Sequence, residues 1–294
     1  MSVKQGILLK AIAGFYYVEA GDSIYECKAR GIFRKNNMSP TVGDRLAFEI
    51  VSEGKGVITE ILPRKNLLIR PQVANIDRLF IVSSHDTPVP SALVIDRLTA
   101  IACENDIEPI IVFNKVDLGT MSYWKDLYTS AGFKTILTSG ANGKGCDEIK
   151  ALISGKISAF TGNSGVGKSS ILNKILPELN LKTGEISEKL GRGRHTTRHV
   201  ELFPAFGGYV ADTPGFSSLD IEKTMPLKKE NLQFTFPDFN DWLGECRFTS
   251  CTHTGEKGCA VAQAVLDGKI QQSRLDSYRM IYNEIKDIKE WERK

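Results

Sequence analysis

The stretch Gly162-Asn163-Ser164-Gly165-Val166-Gly167-Lys168-Ser169 matches the phosphate-binding loop pattern G-x-x-x-x-G-K-[ST]. Its glycines let the backbone curl with its N–H groups turned inward, so that the loop can hold phosphate oxygens. Lys168 is then expected to reach the β- and γ-phosphates, and the Ser169 hydroxyl to bind Mg²⁺. The alternative is a glycine-rich turn without a ligand.

The residues on both sides of this loop favour the ligand-binding interpretation. Ile157 to Thr161 is an apolar run typical of a buried strand, and Ser170 to Ile175 has the pattern of a helix that Pro177 ends. We therefore include Gly162 to Ser170 in the candidate nucleotide site. The position of the loop is unusual, because half of the chain precedes it.

The composition is that of a soluble globular protein. Of its 294 residues, 41% are hydrophobic and 25% are charged, and the length leaves room for two or three domains. No apolar run reaches the roughly 18 residues of a membrane span, and the N-terminus lacks a signal-peptide core. We therefore expect a cytoplasmic protein with no membrane partner. We also expect it to be a monomer. The net charge of +3 does not by itself require a nucleic acid partner.

Residues 1–69 are expected to form a small RNA-binding barrel of the oligonucleotide/oligosaccharide-binding (OB) kind. Five short segments rich in Val, Ile, Phe and Tyr are separated by turn residues. These segments are Gly6–Ile12, Phe15–Glu19, Ser23–Ala29, Arg45–Ile50 and Gly56–Ile61. The loop Lys28–Met38 is basic, and its Phe33 is a candidate for stacking on a base. The alternative is a solvated basic loop on a structural barrel.

Residues 70–220 are expected to form an α/β domain. From Ile76 onward, apolar strands alternate with helical patterns, which predicts a mostly parallel sheet with helices on both faces. The predicted strands are Leu79–Val82, Ile110–Phe113, Thr135–Leu137, Ile157–Thr161, Val200–Phe203 and Gly208–Ala211. The predicted helices are Ser91–Cys103, Ser122–Ala131, Cys146–Leu152 and Ser170–Ile175.

The residues after the second of these strands indicate guanine recognition. Asn114-Lys115-Val116-Asp117 offers a carboxylate that can accept hydrogen bonds from N1–H and the exocyclic amine of guanine, whereas N1 of adenine is an acceptor. Asn114 can hold the loop or purine N7, and the Lys115 stem can lie over the base. An unpaired buried carboxylate is costly, so such a site rejects the wrong base. Ser139-Gly140-Ala141, after the next strand, either touches the guanine O6 edge or is a plain turn.

Two later segments are candidates for binding Mg²⁺ and the γ-phosphate. Gly191 to His199 has the composition of a mobile loop. A threonine in this loop can close on Mg²⁺ and the γ-phosphate when triphosphate is bound. Thr196 and Thr197 are equal candidates. Asp212, at a strand end, fits the carboxylate that holds Mg²⁺ through water, and the Gly215 N–H fits a γ-phosphate contact.

The order of these motifs is a circular permutation of the common GTPase arrangement. The phosphate loop usually comes first and Asn-Lys-x-Asp last, whereas here Asn114–Asp117 precedes Gly162–Ser169. The same sheet can form if the old termini are joined through Cys146–Gly155, because domain termini often lie close together. The new cut lies after Gly215, so the nucleotide state can be transmitted to the segment that follows.

Residues 221–294 are expected to form a mainly helical zinc-binding domain. The candidate ligands are Cys246, Cys251, His253 and Cys259. Their spacing is C-x4-C-x-H-x5-C, and three thiolates with one imidazole complete the tetrahedral shell of a structural zinc site. The alternative is a set of free thiols around an ordinary loop. Zinc is expected to fold this tail, because its aromatic residues form only a thin core.

Across its whole length the chain resembles the circularly permuted GTPases of the RsgA family, also called YjeQ or YloQ. Gly-Arg-Gly-Arg-His-Thr-Thr at 191–197, followed by Asp-Thr-Pro-Gly-Phe at 212–216, adds specificity to this resemblance. The resemblance implies hydrolysis of GTP to GDP and phosphate, stimulated by the small ribosomal subunit and its rRNA. It also implies a role in late maturation of that subunit.

The group that orients the attacking water is not evident. Many GTPases have a Gln just after Asp-x-x-Gly, and here that position is Phe216, which cannot hydrogen-bond water. We therefore expect slow intrinsic hydrolysis, with the missing group supplied by the mobile loop or by RNA. His195 is the first candidate and joins Lys168, Thr196, Thr197 and Gly215 in the catalytic set. Alternatively, His195 contacts rRNA or solvent.

Two rival functions remain open. One is a non-enzymatic RNA-binding scaffold with a vestigial nucleotide site, against which the intact Lys168, Asp117 and Asp212 argue. The other is a GTPase that acts on another RNA or in translation itself.

Overall fold

The computed structural model describes residues 3–31, 33, 38–69, 72–179, 200–212 and 227–288. The chain divides into two compact units. One unit comprises Met1–Leu79, Ile149–Phe160 and Ile186–Phe216, and the other comprises Phe80–Glu148, Thr161–Glu185 and Ser217–Lys294. The boundaries between residues 69 and 70 and between 220 and 221 stay a prediction.

The N-terminal part of the first unit is a five-stranded barrel of the OB type. Its strands are β1 (Val3–Ile12), β2 (Phe15–Ala20), β3 (Ser23–Ala29), β4 (Arg45–Ser52) and β5 (Lys55–Ile61). They lie in the order β1-β2-β3-β5-β4, and β4 also pairs with β1, which closes the sheet. Because side chains alternate between the two faces of each strand, Leu8, Val18 and Phe48 meet in a core with no exposed surface.

Phe33 belongs to this core. Its side chain is 8% exposed and packs among the buried barrel residues. The prediction that Phe33 stacks on a base is therefore wrong. A basic loop pattern does not show which way an aromatic ring points, and here the ring fills the closed barrel. Residues 34–37 of the same loop lie outside the described residues.

The remaining elements begin with a strand pair at residues 67–74 that the sequence did not predict, and from Ile76 onward strands and helices follow in the predicted order. The strands are β6 (Leu67–Ile69), β7 (Gln72–Ala74), β8 (Arg78–Ser84), β9 (Glu108–Asn114), β10 (Lys134–Leu137), β11 (Ile157–Thr161), β12 (Glu201–Ala205) and β13 (Gly208–Asp212). The helices are α1 (Ala92–Glu104), α2 (Ser122–Ser130), α3 (Cys146–Ile153), α4 (Lys168–Ile175), α5 (Ala260–Leu266) and α6 (Gln272–Ile285). Short 3₁₀ segments cover Pro177–Leu179, Leu232–Thr235 and Pro237–Trp242.

In the first unit, the strand pairing of the barrel continues into β12, β13 and β11. β11 pairs parallel with β13, and β13 pairs antiparallel with β12. β12 pairs with β1 where Lys10 lies opposite Glu201, and these two side chains form an ion pair of 3.1 Å. The Tyr209 hydroxyl on β13 donates to the Glu19 carboxylate on β2. The strand that ends at Asp212 is thus connected to the barrel by backbone and side-chain hydrogen bonds.

In the second unit, β8 lies beside β9, and β9 pairs parallel with β10. Apolar residues of β9 and of the helices α1 and α2 form one core, in which Ile95, Phe113 and Tyr128 are buried. The parallel pairing brings the carboxyl ends of the strands to one edge of the sheet. The loops that follow β9 and β10 carry the guanine motif and the Ser139 turn, so this edge positions the site.

A buried arginine holds the C-terminal helical region against α1 within the second unit. Arg274 on α6 is 1% exposed and lies 2.5 Å from Asp96 on α1 and 2.9 Å from Asp238. Its guanidinium also lies 4.5 Å from the centre of the Phe236 ring. Removing one partner from such a buried pair typically costs about 3–5 kcal/mol, so this contact fastens α6 to α1 in one buried core.

Among the described residues, no helix is both long enough and apolar enough to cross a membrane.

Candidate nucleotide and metal sites

The phosphate loop has the curled backbone that its sequence predicts. Gly162, Gly165 and Gly167 have φ values of 141°, 82° and 92°, which favour glycine. A Cβ atom at Gly162 would lie 2.2 Å from the Val82 carbonyl oxygen, and one at Gly167 would lie 2.2 Å from Asn114 Nδ2. Backbone conformation and space therefore both require glycine at these two positions.

The phosphate helix α4 begins at Lys168, two residues earlier than predicted. Gly167 is its left-handed N-cap, so the curl of the loop ends where the helix begins. Ser169 and Ser170 lie in the first turn, where backbone N–H groups have no partner within the helix and attract anions. Val166 is 2% exposed, so its side chain packs inside the loop rather than toward solvent.

Lys168 points back into the loop. Its ammonium donates to the carbonyl oxygens of Gly162 at 2.6 Å and Asn163 at 2.9 Å. Burial lowers the pKa of Lys168 to about 8, because the charged form is desolvated. A phosphate beside this ammonium would favour the charged form, so the loop holds a cation that gains stability from an anionic ligand.

Asn114 joins the phosphate loop to the turn after β10. Its Nδ2 donates to the Val166 carbonyl at 2.9 Å, and its Oδ1 accepts from Gly140 N at 3.0 Å and from Thr138 Oγ1 at 3.1 Å. The side chain is 1% exposed. Of the two predicted roles for Asn114, this geometry favours holding the loop over binding purine N7.

Asp117 is presented at the surface as a carboxylate. A hydrogen bond from the Ser139 side chain lowers the pKa of Asp117, which keeps the group ionised near neutral pH. The Val116 N–H donates to the Thr138 carbonyl at 3.2 Å, so the motif and the turn after β10 are tied together. Lys115 has a φ of 61°, and Val116 packs partly buried against the core. Asp117 and Ser139 are thus brought together, and their roles toward guanine stay predictions.

Several predicted site residues cannot be placed. His195, Thr196, Thr197 and Gly215 lie outside the described residues. Asp212 is the last residue of β13, and only its backbone is described. The predicted roles of these residues stay predictions.

Cys246, Cys251, His253 and Cys259 form a tight cluster in the second unit. Their ligand atoms all lie within 4.8 Å of one another. His253 Nδ1 lies 3.4 Å from Cys259 Sγ and 3.7 Å from the sulfurs of Cys246 and Cys251. Three sulfurs around one imidazole nitrogen match the donor set of a structural zinc site, so the cluster could hold a metal ion.

The surroundings of the cluster prepare it for a cation. His253 Nε2 lies 3.1 Å from Gln233 Oε1, an acceptor that fixes the proton on Nε2 and leaves Nδ1 free to bind a metal. The N–H groups of Ala260 and Ala262, at the start of α5, donate to the sulfurs of Cys246 and Cys259 at 3.3 and 3.4 Å. Both kinds of contact favour metal-bound thiolates and imidazole. Sequence reasoning missed Gln233, which lies 20 positions from His253 and belongs to no local motif.

Comparisons with known proteins identify the family. The profile described as RsgA GTPase matches residues 61–222, and the RsgA N-terminal domain profile matches residues 5–58. The chain belongs to the RsgA family. It is 47% identical to the small ribosomal subunit biogenesis GTPase RsgA of Caldanaerobacter subterraneus subsp. tengcongensis, with 96% of both chains covered. The Bacillus subtilis RsgA is 44% identical, with 97% of this chain and 98% of that protein covered.

Two solved structures agree with this assignment. YloQ, described as a circularly permuted GTPase, has a TM-score of 0.83 and 37% identity, with 98% of this chain and 96% of YloQ covered. YjeQ from Thermotoga maritima has a TM-score of 0.82 and 34% identity, with 98% of this chain and 100% of YjeQ covered. The predicted fold class, the circular permutation and the GTPase activity of an RsgA protein are thereby confirmed.

Proposed function

We propose that the protein hydrolyses GTP during late maturation of the small ribosomal subunit, and that binding of the subunit stimulates this hydrolysis. The observation that carries the proposal is the Asn114 side chain, whose hydrogen bonds join the phosphate loop to the guanine-reading turn. A vestigial nucleotide site would not need this buried connection. The names of the relatives, small ribosomal subunit biogenesis GTPase, support the choice of partner.

In this proposal each site residue has one task. Lys168 and the N–H groups of Gly162–Ser170 bind the phosphates, and Asp117, backed by Lys115 and Ser139–Ala141, selects guanine. Ser169 and Asp212 hold Mg²⁺, and Mg²⁺ neutralises charge on the phosphates when bound. Gly215 contacts the γ-phosphate, and Thr196 or Thr197 closes on it. His195 orients the attacking water, because Phe216 cannot.

Each of the three predicted domains has its own task. Residues 1–69 contact rRNA through the barrel, residues 70–220 bind GTP, and residues 221–294 are braced by one structural zinc ion on Cys246, Cys251, His253 and Cys259. The protein acts as a monomer in the cytoplasm, where bacterial ribosomal subunits are assembled.

Co-sedimentation with separated ribosomal subunits tests the partner. We expect the protein with a non-hydrolysable GTP analogue to sediment with small subunits, and to stay in the supernatant with large subunits. GDP in place of the analogue should weaken the association, because the γ-phosphate holds the switch segments. Equal sedimentation with both subunits, or with neither, would favour the rival in which the GTPase acts on another RNA.

A further inference from the structure

The loop after β8 is fixed against the guanine motif. The Ser84 hydroxyl, which is fully buried, donates to the carbonyl oxygens of Asp86 at 2.8 Å and Pro88 at 3.2 Å. The His85 N–H donates to the carbonyl oxygen of Asn114 at 3.1 Å. These bonds hold the backbone on both sides of His85 and place its side chain beside residues 114–119.

The imidazole of His85 packs directly on Gly119. A Cβ atom built at Gly119 would lie 2.1 Å from His85 Nε2 and 2.5 Å from His85 Cε1. Gly119 is not among the residues with positive φ, so its backbone conformation is open to any residue. Glycine at this position is therefore explained by the imidazole that occupies the space of a side chain.

The two contacts of His85 lie on either side of Asp117. Between them, the Leu118 N–H donates to the Lys115 carbonyl at 3.0 Å and closes a tight turn. Lys115 adopts the left-handed conformation with a φ of 61°, which is unfavourable for a residue other than glycine. A strained and largely exposed turn of this kind keeps one conformation only if the surrounding structure holds it.

We propose that His85 is a positioning residue for guanine recognition: its imidazole on Gly119 and its backbone on Asn114 hold the turn that presents the Asp117 carboxylate. The proposal rests on the proposed role of Asp117 in reading guanine. In this role His85 acts by restricting where Asp117 can be, and it needs no contact with the nucleotide. No motif links residue 85 to residue 119, since only the fold brings them together.

The consequence is a specific loss of selectivity when the ring is removed. Guanine donates to Asp117 from N1–H and from the 2-amino group, whereas hypoxanthine lacks the 2-amino group. A displaced carboxylate can no longer accept both hydrogen bonds of guanine. The affinity for GDP therefore falls more than the affinity for IDP. A general loss of folding would weaken binding of both nucleotides equally.

The test measures the dissociation constants of GDP and IDP by competition with a fluorescent GDP analogue, on the full-length protein. His85→Ala is expected to weaken the binding of GDP about fivefold and that of IDP about twofold or less, so that the preference for GDP over IDP decreases. His85→Phe keeps a ring over Gly119 and is expected to keep both affinities within about twofold of wild type. Equal losses for GDP and IDP in His85→Ala, or a Phe variant that behaves like the Ala variant, would overturn the proposal.

A double-mutant cycle keeps the test independent of any one variant. Gly119→Ala is expected to reproduce the loss of GDP preference, because its methyl group displaces the imidazole. Added to His85→Ala, the same methyl should cause no further loss, since the ring is gone. Fully additive effects would overturn the proposal.

Asp117→Asn separates failure of this inference from failure of the proposed function. An Asn side chain can donate to the 2-oxo group of xanthine, so this variant is expected to prefer XDP over GDP. If the preference does not change, the assignment of Asp117 to guanine fails. If it changes while the His85 and Gly119 variants keep the wild-type GDP preference, only the role of His85 fails.

Discussion

Lys168→Ala is expected to lower kcat/KM for GTP by about 100-fold, because the variant loses the ammonium that stabilises the phosphate charge. Lys168 stands at the first position of α4 and is directed into the curled loop, where its Nζ donates to the carbonyls of Gly162 and Asn163. Alanine has no group that can replace this cation. Steady-state GTP turnover and the affinity for a non-hydrolysable analogue measure the effect.

A control on the same helix separates this effect from general damage to α4. Lys174 is exposed in the last turn, and Lys174→Ala should leave kcat/KM within about twofold of wild type. Wild-type turnover in Lys168→Ala would disprove the phosphate-loop assignment.

The lowered pKa adds a pH signature to the same prediction. In the free protein Lys168 has a pKa of about 8, and bound phosphate raises it. Nucleotide affinity should therefore be constant below about pH 7 and decline as the pH rises through 8, by about fourfold at pH 8.5. Lys168→Arg should show no such decline, because guanidinium stays charged.

Loss of one cluster ligand should remove the metal and destabilise the C-terminal region. His253→Ala is expected to abolish the single bound zinc and to lower the midpoint of thermal unfolding by roughly 10 °C, since metal binding in such sites is folding free energy. The His253 ring also packs against Phe239 and Tyr278, which continue the aromatic core toward Phe236. Metal analysis and thermal unfolding of the purified proteins measure both effects.

Two further variants test which residues contribute to zinc binding. Gln233→Ala should retain zinc but bind it about tenfold more weakly, because the His253 tautomer is no longer fixed. Cys103→Ser, at a cysteine outside the cluster, should keep one zinc ion per chain. Wild-type protein purified without chelators that contains no zinc would contradict the assignment.

The features predicted well from the sequence are those that depend on local pattern. Gly162, Gly165 and Gly167 mark the phosphate loop because only glycine suits their backbone, and the apolar runs around them mark strands of a parallel sheet. The cluster at 246–259 could equally be predicted from the sequence, since its four candidate ligands lie within one short segment.

The features that the sequence could not predict join residues far apart in the chain. Phe33 has the pattern of an exposed loop residue, but closing the barrel buries it. Arg274 lies on a helix with mixed charges, and only its pairing with Asp96 shows that it is buried. The contacts of Gln233 with His253 and of His85 with Gly119 likewise depend on folding. Tertiary packing decides where a side chain points and which residue it contacts, and a local sequence pattern carries no information on that packing.

The most direct test of the central claim is GTP turnover by the wild-type protein alone, with purified small subunits and with purified large subunits. Slow turnover by the protein alone is expected, because Phe216 stands where many GTPases have glutamine. Small subunits should raise kcat by at least about tenfold, and large subunits should leave it unchanged. Turnover that is fast without ribosomal subunits, or that responds equally to both, would contradict the account.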